Sequence, residues 1–466
     1  MMRNENFPRI VLAGVSSGVG KTTIVTGLLR ALKDAGLRVR PFKVGPDYID
    51  PGFHAKAAGR DSYNLDTWLV PEERLVSTFR KLAGDADISV IEGVMGLFDG
   101  GGKGVSSTAH IARLLDAPVI LVMNCKSMGQ SAAAVALGYR NYAPDIKLAG
   151  VILNQLGSDN HEAIIREAMA EIGMPVLGAL HRDENLQTPE RHLGLTPVTE
   201  TETDALIDNM ARAMKERLDI PKILEVAQSA PKLPETEETR DFTKHHVRIG
   251  VAQDDAFTFY YPTSLSALSD RGATLVPFSP MHDSEIPDVD GLIFGGGFPE
   301  MFLNELSGNI SMKESIKGAA SRGMPIYAEC GGLMYLCEKI VGFSDETYDM
   351  VALVPALCRM QKKLQRVGYV TAKALRSEVL ADAGDTLLGH EFHFSTLEPL
   401  CENFPWAYEL AGSRQKEIHK DGYAAKNLVA SYLHMNFDGN PRAAEYFLKS
   451  CEIFQKSKSG ETEVRT

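Results

Sequence analysis

Cysteine is scarce in this sequence, with only six cysteines among 466 residues. No two of them are spaced as Cys-x-x-Cys, which excludes a zinc ribbon and a thioredoxin-type redox motif. So few cysteines in so long a chain also exclude a small disulfide-stapled scaffold. Their usage is typical of a protein from a reducing compartment.

An excess of positive charge and long apolar runs are lacking as well. The 49 lysines and arginines are outnumbered by 61 aspartates and glutamates, which gives a formal net charge of −12. This balance excludes a globally basic surface, so we expect no nucleic-acid partner. The apolar run at residues 10–15 is too short for a signal peptide or a membrane span. We therefore expect a cytoplasmic protein without a membrane partner.

The remaining composition is that of a globular protein of two to four domains, with 44% hydrophobic and 24% charged residues. In residues 1–225, short apolar runs alternate with amphipathic segments, which predicts a parallel sheet covered by helices on both faces. Residues 226–246 are polar and predict a linker. The alternation resumes in residues 247–455, and a polar tail, 456–466, follows. We predict an α/β protein with two doubly wound domains.

Each predicted strand is a short apolar run that ends at a turn-forming or polar residue. They are residues 9–13, 39–44, 88–91, 119–123 and 148–154 in the first domain, and 247–252, 292–294, 325–328, 387–394 and 428–433 in the second. Ligands of such sheets bind at the carboxyl ends of the strands, so the residues that follow these runs are the first candidates for a site.

A glycine-rich loop follows the first predicted strand, in the sequence RIVLAGVSSGVGKTT from residue 9 to residue 23. Glycines let backbone N–H groups converge on phosphate oxygens, and the following helix adds the positive end of its dipole. Lys21 is expected to reach the β- and γ-phosphates of ATP, and Thr22 to bind Mg²⁺. Five residues, rather than the usual four, separate Gly14 from Gly20. The predicted nucleotide-binding residues of this loop are Ser17, Gly18, Val19, Gly20, Lys21, Thr22 and Thr23.

Two acidic residues follow later strand-like runs and are candidate partners of the metal ion. Asp47 lies in KVGPDYIDP, and Glu92 lies in ISVIEGVMGLFD. Because the carboxyl ends of parallel strands meet at one edge of a sheet, we predict that Thr22, Asp47 and Glu92 together hold Mg²⁺. The alternative is that these carboxylates only form turns.

Cys330 lies where a predicted strand meets a predicted helix, in MPIYAECGGLMYL. This arrangement is typical of a nucleophile elbow, in which small neighbours let a substrate approach. We expect the helix N-terminus to favour the reactive thiolate. The backbone of Gly331, and of Gly296 and Gly297 in the upstream FGGGFPE, is expected to stabilise an oxyanion. For the other five cysteines we expect the ordinary role of a small buried hydrophobe.

A nucleophilic thiol needs a base, and several histidines are candidates. His434 follows directly on the apolar run 428–433 and is the favoured one. His390 and His393 lie on another predicted strand. Alternation places Glu391 and His393 on one face of that strand and His390 on the other.

With these motifs in place, the sequence resembles a known family across nearly its whole length. The motifs, in chain order, are AGVSSGVGKTT, KVGPDYIDP, EGVMGLFDG, the stretch around residues 106–110, RHLGL at 191–195, FGGGFPE, ECGGLMYL, GHEFHFS and SYLHMNF. Their order is that of the cobyrinic acid a,c-diamide synthases, which are glutamine-dependent amidotransferases of cobalamin synthesis. The resemblance implies an N-terminal P-loop synthetase domain similar to dethiobiotin synthetase, and a C-terminal domain similar to class I glutamine amidotransferases.

The resemblance also implies roles for single residues of the C-terminal domain. The motif cysteine of the family, here Cys330, is the glutaminase nucleophile, and the motif histidine is here His434. Typical class I enzymes carry a glutamate two residues after this histidine, where this sequence has Asn436. Glu391 is a candidate for the missing carboxylate.

In the N-terminal domain, the resemblance places Asp47, Tyr48 and Asp99 at the substrate carboxylate that is activated, and Asn154 at the adenine. Lys21 and Asp99 are then counted among the catalytic residues. The implied small-molecule partners are ATP with Mg²⁺, glutamine, and a corrinoid or related tetrapyrrole. A homodimer is expected by analogy alone.

The implied reaction is ATP- and glutamine-dependent amidation of the a and c acetate carboxylates of cobyrinic acid through acyl phosphates. The same motifs fit nickel-sirohydrochlorin and hydrogenobyrinic acid, so the sequence leaves the tetrapyrrole open. A rival class, the nucleotide-switch ATPases, carries an extra lysine early in the phosphate loop, where this sequence has Ser16. Those proteins also have no use for a cysteine elbow.

A basic cluster formed by Arg359, Lys362, Lys363 and Arg366 has two interpretations. The simpler one is a solvated charged face. The sharper one is a docking site for a polycarboxylate.

Overall fold

The computed structural model describes residues 6–183, 186, 200–235, 242–413 and 418–459. The motif RHLGL at 191–195, residues 236–241 of the predicted linker and residues 460–466 of the predicted tail lie outside the described residues. The chain forms two compact units, one of Met1–Thr67 with Pro71–Glu238 and one of Trp68–Val70 with Thr239–Thr466.

A seven-stranded sheet lies at the centre of the first unit. Its strands are β1 (Arg9–Gly14), β2 (Val39–Val44), β3 (Tyr63–Leu65), β4 (Ile88–Gly96), β5 (Val119–Asn124), β6 (Leu148–Leu156) and β7 (Val176–His181). They lie in the order β3-β2-β4-β1-β5-β6-β7, and every neighbouring pair is parallel. All residues of β1 and β2 are buried, as expected for strands covered on both faces.

Helices and a short 3₁₀ turn (Gly102–Gly104) connect these strands. The helices are α1 (Lys21–Asp34), α2 (Ile49–Ala58), α3 (Glu72–Ala83), α4 (Thr108–Leu114), α5 (Ser131–Tyr142), α6 (Asp159–Glu171), α7 (Glu200–Arg217) and α8 (Ile220–Gln228). Side chains of Ser107, Ser158 and Asp219 cap α4, α6 and α8 by accepting a backbone N–H bond. In the core, Ile10 and Leu12 of β1 cluster with Ile24 and Leu28 of α1. This packing fixes the glycine-rich loop between β1 and α1.

A ten-stranded mixed sheet and a four-stranded sheet form the second unit. The strands are β8 (Arg248–Ala252), β9 (Thr274–Phe278), β10 (Gly291–Phe294), β11 (Ile326–Glu329), β12 (Cys337–Val341), β13 (Thr347–Asp349), β14 (Val354–Met360), β15 (Arg366–Ala374), β16 (Thr386–His393), β17 (Ser395–Pro399), β18 (Trp406–Gly412), β19 (Ile418–Ala425), β20 (Leu428–Ser431) and β21 (His434–Met435). The large sheet has the order β21-β16-β15-β18-β19-β20-β11-β10-β8-β9, and the small one β13-β12-β14-β17.

The parallel part of the large sheet runs from β20 through β11, β10 and β8 to β9. It is accompanied by helices and a 3₁₀ turn (Pro299–Met301). The helices are α9 (Pro262–Ser269), α10 (Leu303–Gly308), α11 (Ile310–Ser321), α12 (Gly331–Leu336) and α13 (Pro441–Ser459). In this half of the sheet, α12 follows directly on β11, so the strand-to-helix turn at Cys330 lies at a carboxyl end of the parallel strands.

The predicted α/β class and the ten predicted strands are confirmed, with shifts at their ends. The prediction of a purely doubly wound second domain was incomplete, because the strands β15, β16, β18 and β19 extend the sheet in antiparallel fashion. These strands alternate buried and more exposed residues rather than forming continuous apolar runs, as β15 illustrates. That weaker pattern is why most of them were not predicted.

Two helices cross predicted domain boundaries. Helix α8 continues to Gln228, and α13 continues to Ser459. The boundaries at 225 and 455 therefore fall inside helices, and the assignment of a synthetase and a glutaminase to these ranges stays a prediction. No helix in the described part of the chain is both long and apolar enough to cross a membrane.

Candidate active sites

The glycine-rich loop of the first unit has the geometry that phosphate binding requires. Gly18 and Gly20 adopt positive φ angles of 73° and 90°, which glycine reaches without strain. Gly20 directly precedes α1 and offers no side chain to cap the helix, so the first N–H groups of α1 face the loop. The buried Lys21 donates from Nζ to the carbonyl oxygen of Met95 at 2.6 Å. Burial lowers the pKa of Lys21 from its ordinary value.

Glu92 is the centre of a buried polar cluster at the end of this sheet. Its Oε1 accepts a hydrogen bond from Thr22 Oγ1 at 2.8 Å, and its Oε2 lies 2.6 Å from His54 Nε2. Lys43 Nζ donates to Oε1 at 3.1 Å. Burial by itself raises the pKa of a carboxyl, yet Lys43, His54 and Thr22 together lower the pKa of Glu92 to about 2. Thr22 and Glu92, two of the predicted magnesium ligands, are therefore in direct contact.

Lys43 connects Asp47, the third predicted magnesium ligand, to the cluster around Glu92. Its ammonium group lies 3.4 Å from a carboxylate oxygen of Asp47 and also pairs with Asp50. Burial lowers the pKa of Lys43, but Glu92, Asp50 and Asp47 raise it well above its usual value. Lys43 and His54 were not predicted as members of this site, although Lys43 is the penultimate residue of β2 and lies four residues before Asp47.

Asp47 also forms the turn that was the alternative interpretation. Its Oδ1 accepts the backbone N–H groups of Ile49 and Asp50 at 2.9 and 3.1 Å, at the start of α2. Burial and the neighbouring Asp50 raise the pKa of Asp47. The turn-forming role of Asp47 is therefore observed, while its role as a metal ligand stays a prediction.

The oxygen atoms of Thr22 and Glu92 are of the kind that binds Mg²⁺. The ion prefers oxygen ligands and is bound in nucleotide sites through one or two carboxylates plus phosphates and water. Thr22 supplies a hydroxyl and Glu92 a carboxylate that stays ionised. Within the described residues no group of three or more histidine, cysteine, aspartate and glutamate side chains forms a ready-made metal site. A magnesium ion here would depend on the phosphates of ATP for its remaining ligands.

The other predicted residues of this unit lie around the loop in different ways. The buried Asn154 donates from Nδ2 to the carbonyl oxygen of Val19 at 2.8 Å, so it braces the phosphate loop. Asp99 is exposed and accepts the backbone N–H of Gly96 at 3.1 Å, and its charge acts on Lys21. Tyr48 is half-buried at the start of α2.

Cys330 forms a strained turn between β11 and α12. Its φ and ψ angles are 46° and −100°, a conformation that costs a residue with a side chain about 1–3 kcal/mol. The turn is held by a hydrogen bond from the backbone N–H of Cys330 to the carbonyl oxygen of Ser431 at 2.8 Å. The residue is 6% exposed. This is the geometry predicted for a nucleophile elbow.

The glycine motif of the second unit packs against both the elbow and His434. A Cβ atom at Gly296 would lie 2.7 Å from Cε1 of His434, and one at Gly331 would lie 3.0 Å from the backbone N of Gly297. Only glycine leaves room for such contacts. The fold therefore brings together Gly296, Gly297, Gly331 and His434, as the oxyanion prediction requires.

The expectation that the helix N-terminus favours a thiolate at Cys330 was wrong for the free protein. Burial first, and then the charges of Glu300 and Glu329, raise the pKa of Cys330 well above its usual value. The backbone N–H of Gly331, in the six-residue helix α12, acts in the opposite direction and lowers this pKa. Ionisation of this thiol is therefore unfavourable unless a nearby base accepts the proton.

His434 has well-defined neighbours. Its ring lies nearly parallel to that of His390, with centroids 4.9 Å apart and an interplanar angle of 11°. His390 Nε2 in turn meets the hydroxyl of Tyr261 at 2.7 Å. Burial, and then His434, lower the pKa of His390 well below its usual value, so His390 stays neutral. His390 therefore lies on the face of β16 opposite to Glu391 and His393, as the alternation of side chains along the strand predicts.

The opposite face of β16 carries a different cluster. Glu391 Oε1 lies 3.0 Å from His419 Nε2 and 3.6 Å from His393 Nε2. Burial raises the pKa of Glu391, but His393 and His419 lower it to about 2. Glu391 is thus engaged with these two histidines rather than with His434.

The basic cluster at 359–366 is partly neutralised. Arg359 donates to Glu398 at 2.8 Å and to Asp345 at 3.1 Å. Lys362 and Lys363 are exposed on the segment before β15. Docking of a polycarboxylate at this cluster stays a prediction.

Comparisons with known proteins match both units. Residues 10–195 match the family described as the CobQ/CobB/MinD/ParA nucleotide binding domain, and residues 248–442 match the CobB/CobQ-like glutamine amidotransferase domain. A cobyrinate a,c-diamide synthase from Dehalococcoides mccartyi (strain CBDB1) is 46% identical over 96% of this chain and 99% of its own length. A relative of the same name from Syntrophotalea carbinolica is 43% identical over 95% and 98%.

These matches explain why a phosphate loop and a cysteine elbow occur in one chain. A nucleotide-binding domain and a glutamine amidotransferase domain together make a glutamine-hydrolysing, ATP-dependent ligase. The rival nucleotide-switch ATPase lacks the second of these domains. Because identity above 40% extends over nearly the full length of both relatives, the chain belongs to the cobyrinate a,c-diamide synthase family.

Proposed function

We propose that this protein converts the a and c acetate carboxylates of cobyrinic acid to amides, using glutamine as the nitrogen donor and ATP as the activator. The observation that carries the proposal is the 46% identity, over 96% of the chain, to a protein named cobyrinate a,c-diamide synthase. The two buried clusters around Glu92 and Cys330 supply the chemistry that each half of this reaction needs.

In the synthetase half, a substrate carboxylate attacks the γ-phosphate of ATP and forms an acyl phosphate and ADP. This activation is necessary because a carboxylate is a poor electrophile, whereas phosphate is a good leaving group. The phosphate loop binds the ATP phosphates through its backbone, and Lys21 leaves the Met95 carbonyl to pair with them. Thr22 and Glu92 would hold Mg²⁺, and the ion would neutralise charge on the phosphates.

Lys43 adds a second positive charge to this half of the reaction. Its ammonium group is held by Glu92, Asp50 and Asp47, at the carboxyl end of β2. Asp47 and Glu92 would hold the metal ion together with Thr22, and Lys43 would then attract the incoming substrate carboxylate. Asp99 and Tyr48 are assigned to the same substrate group.

In the glutaminase half, Cys330 attacks the side-chain amide of glutamine. Its proton passes to His434 and from there to the departing nitrogen, so ammonia leaves and a thioester remains. The oxyanion of the intermediate is stabilised by the backbone around Gly297 and Gly331. Water then hydrolyses the thioester to glutamate. Ammonia displaces phosphate from the acyl phosphate, and the cycle runs once for each carboxylate.

The choice of tetrapyrrole is tested by direct comparison. Purified protein is assayed with ATP, glutamine and one of cobyrinic acid, nickel-sirohydrochlorin or hydrogenobyrinic acid, and the diamides are identified by mass spectrometry. We expect the highest kcat/KM with cobyrinic acid. A higher kcat/KM with either of the other two would overturn the substrate assignment while leaving the ligase chemistry intact.

A further inference from the structure

The position that carries the orienting glutamate in typical class I amidotransferases is occupied here by Asn436, whose side chain is engaged elsewhere. Its Nδ2 donates to Thr263 Oγ1 at 3.0 Å, and its Oδ1 accepts the backbone N–H of Asp438 at 2.8 Å. These bonds fasten the segment after β21. Asn436 thus has a structural role and brings no negative charge to His434.

A carboxylate from a different part of the chain lies beside His434. Glu329 Oε2 is 3.5 Å from His434 Nδ1. The other oxygen, Oε1, accepts the backbone N–H of Met435 at 3.2 Å and the hydroxyl of Tyr327. One oxygen of Glu329 is therefore anchored, and the other is directed at the imidazole.

The strand order explains how this contact arises. Glu329 is the last residue of β11, and it pairs with Ser431 of the parallel neighbour β20. His434 follows β20 by a short turn, so its ring returns to the end of β11. The same strand end carries Cys330, which places the nucleophile and Glu329 in consecutive positions. The Glu329 side chain is only 10% exposed, so its charge acts in a weakly screened environment.

We propose that Glu329 is the positioning residue for His434, and that it replaces the carboxylate found two residues after the histidine in typical class I enzymes. Glu329 orients the imidazole by attracting its Nδ1–H, which leaves Nε2 to exchange protons with Cys330 and the departing amine. The proposal rests on the glutaminase roles proposed above for Cys330 and His434. Glu391, the other buried glutamate considered for this role, binds His393 and His419 instead.

The charges at the site agree with this role. Glu329 is among the groups that oppose ionisation of the Cys330 thiol. The thiolate is therefore favoured only when the proton moves onto His434, where the carboxylate stabilises the resulting imidazolium. The proton passes from Sγ through the imidazole to the leaving nitrogen. The contact of 3.5 Å is long for the free protein, and such contacts shorten in the substrate complex.

The test uses Glu329→Gln in the full-length protein, with glutamate release and ammonia-dependent amidation measured side by side. A wrongly oriented base lowers glutaminase kcat by about 10²–10⁴-fold, while KM for glutamine and the ammonia-dependent rate stay unchanged. Glu305→Gln, at an exposed glutamate of α10, is the matched control and should change neither rate. An unchanged kcat in Glu329→Gln, or equal loss of both rates, would overturn the proposal.

A double-mutant cycle with His434→Ala separates positioning from an independent effect. If Glu329 acts through His434, adding Glu329→Gln to His434→Ala causes no further loss of kcat. A further loss of the same size in that background would overturn the proposal. Failure of the glutaminase assignment itself is visible separately, as glutamate release that persists in Cys330→Ala.

Discussion

Gly296 lies directly against the imidazole of His434, at a distance that leaves no room for a methyl group. We expect Gly296→Ala to push the ring by about 1 Å and to lower glutaminase kcat about 10²-fold, because proton transfer depends on this geometry. Ammonia-dependent amidation should be unaffected. Gly308→Ala is the control, since a Cβ there meets nothing within 4 Å. Full glutaminase activity in Gly296→Ala would contradict the proposed place of His434 in the mechanism.

Cys330→Ala should abolish glutamine-dependent amidation and leave ammonia-dependent amidation intact, because the role proposed for the cysteine is to release ammonia. The measurement is diamide formation with each nitrogen source. Cys401→Ala, which alters an exposed cysteine, is the control and should retain both activities. Loss of ammonia-dependent synthesis in a folded Cys330→Ala protein would show that Cys330 has another role.

Lys21→Ala should lose amidation with both nitrogen sources, by about 10²-fold or more, because in the proposed mechanism the carboxylate is activated before ammonia is used. Formation of ADP measures the same step directly. Lys33→Ala, at an exposed lysine of the same helix α1, is the matched control. Synthesis at the wild-type rate with either nitrogen source would refute the assignment of the phosphate loop.

Asp421 should make the protein less stable as the pH rises. Burial, and then the charge of Glu391, raise the pKa of Asp421 from 3.8 to about 6. A carboxyl whose pKa is raised on folding contributes stability below its unfolded pKa, and this stability is lost as the pH rises through the folded value. Between about pH 4 and pH 7 the wild type should lose about 2 kcal/mol relative to Asp421→Asn.

Urea unfolding at a series of pH values measures this difference. Asp421→Asn keeps an oxygen that accepts the backbone N–H of Tyr432, as Asp421 Oδ2 does at 2.9 Å. Asp255→Asn, at an exposed aspartate, should leave the pH dependence of the wild type unchanged. A pH dependence in Asp421→Asn equal to that of the wild type would contradict the effect of burial.

Local patterns in the sequence were sufficient for much of the fold. The predicted strand 39–44 and the observed β2 coincide, and the loop from Gly14 to Thr22 lies between a strand and a helix as expected. Continuous apolar runs identify parallel strands because both faces are covered. Most antiparallel strands of the second unit, with the exception of β16, escaped prediction because their alternation is weak and their pairing joins distant segments.

The sequence by itself determined the family, the phosphate loop and the elbow at Cys330, because these depend on residues adjacent in the chain. Only the tertiary structure decided which charges surround them. It brought Lys43 and His54 onto Glu92 and raised the pKa of Cys330 by burial. It also turned Asn436 toward Thr263 and placed Glu329 beside His434. Coulomb energies depend on distance and burial, which are fixed when separate strands pair and not by the order of residues along the chain.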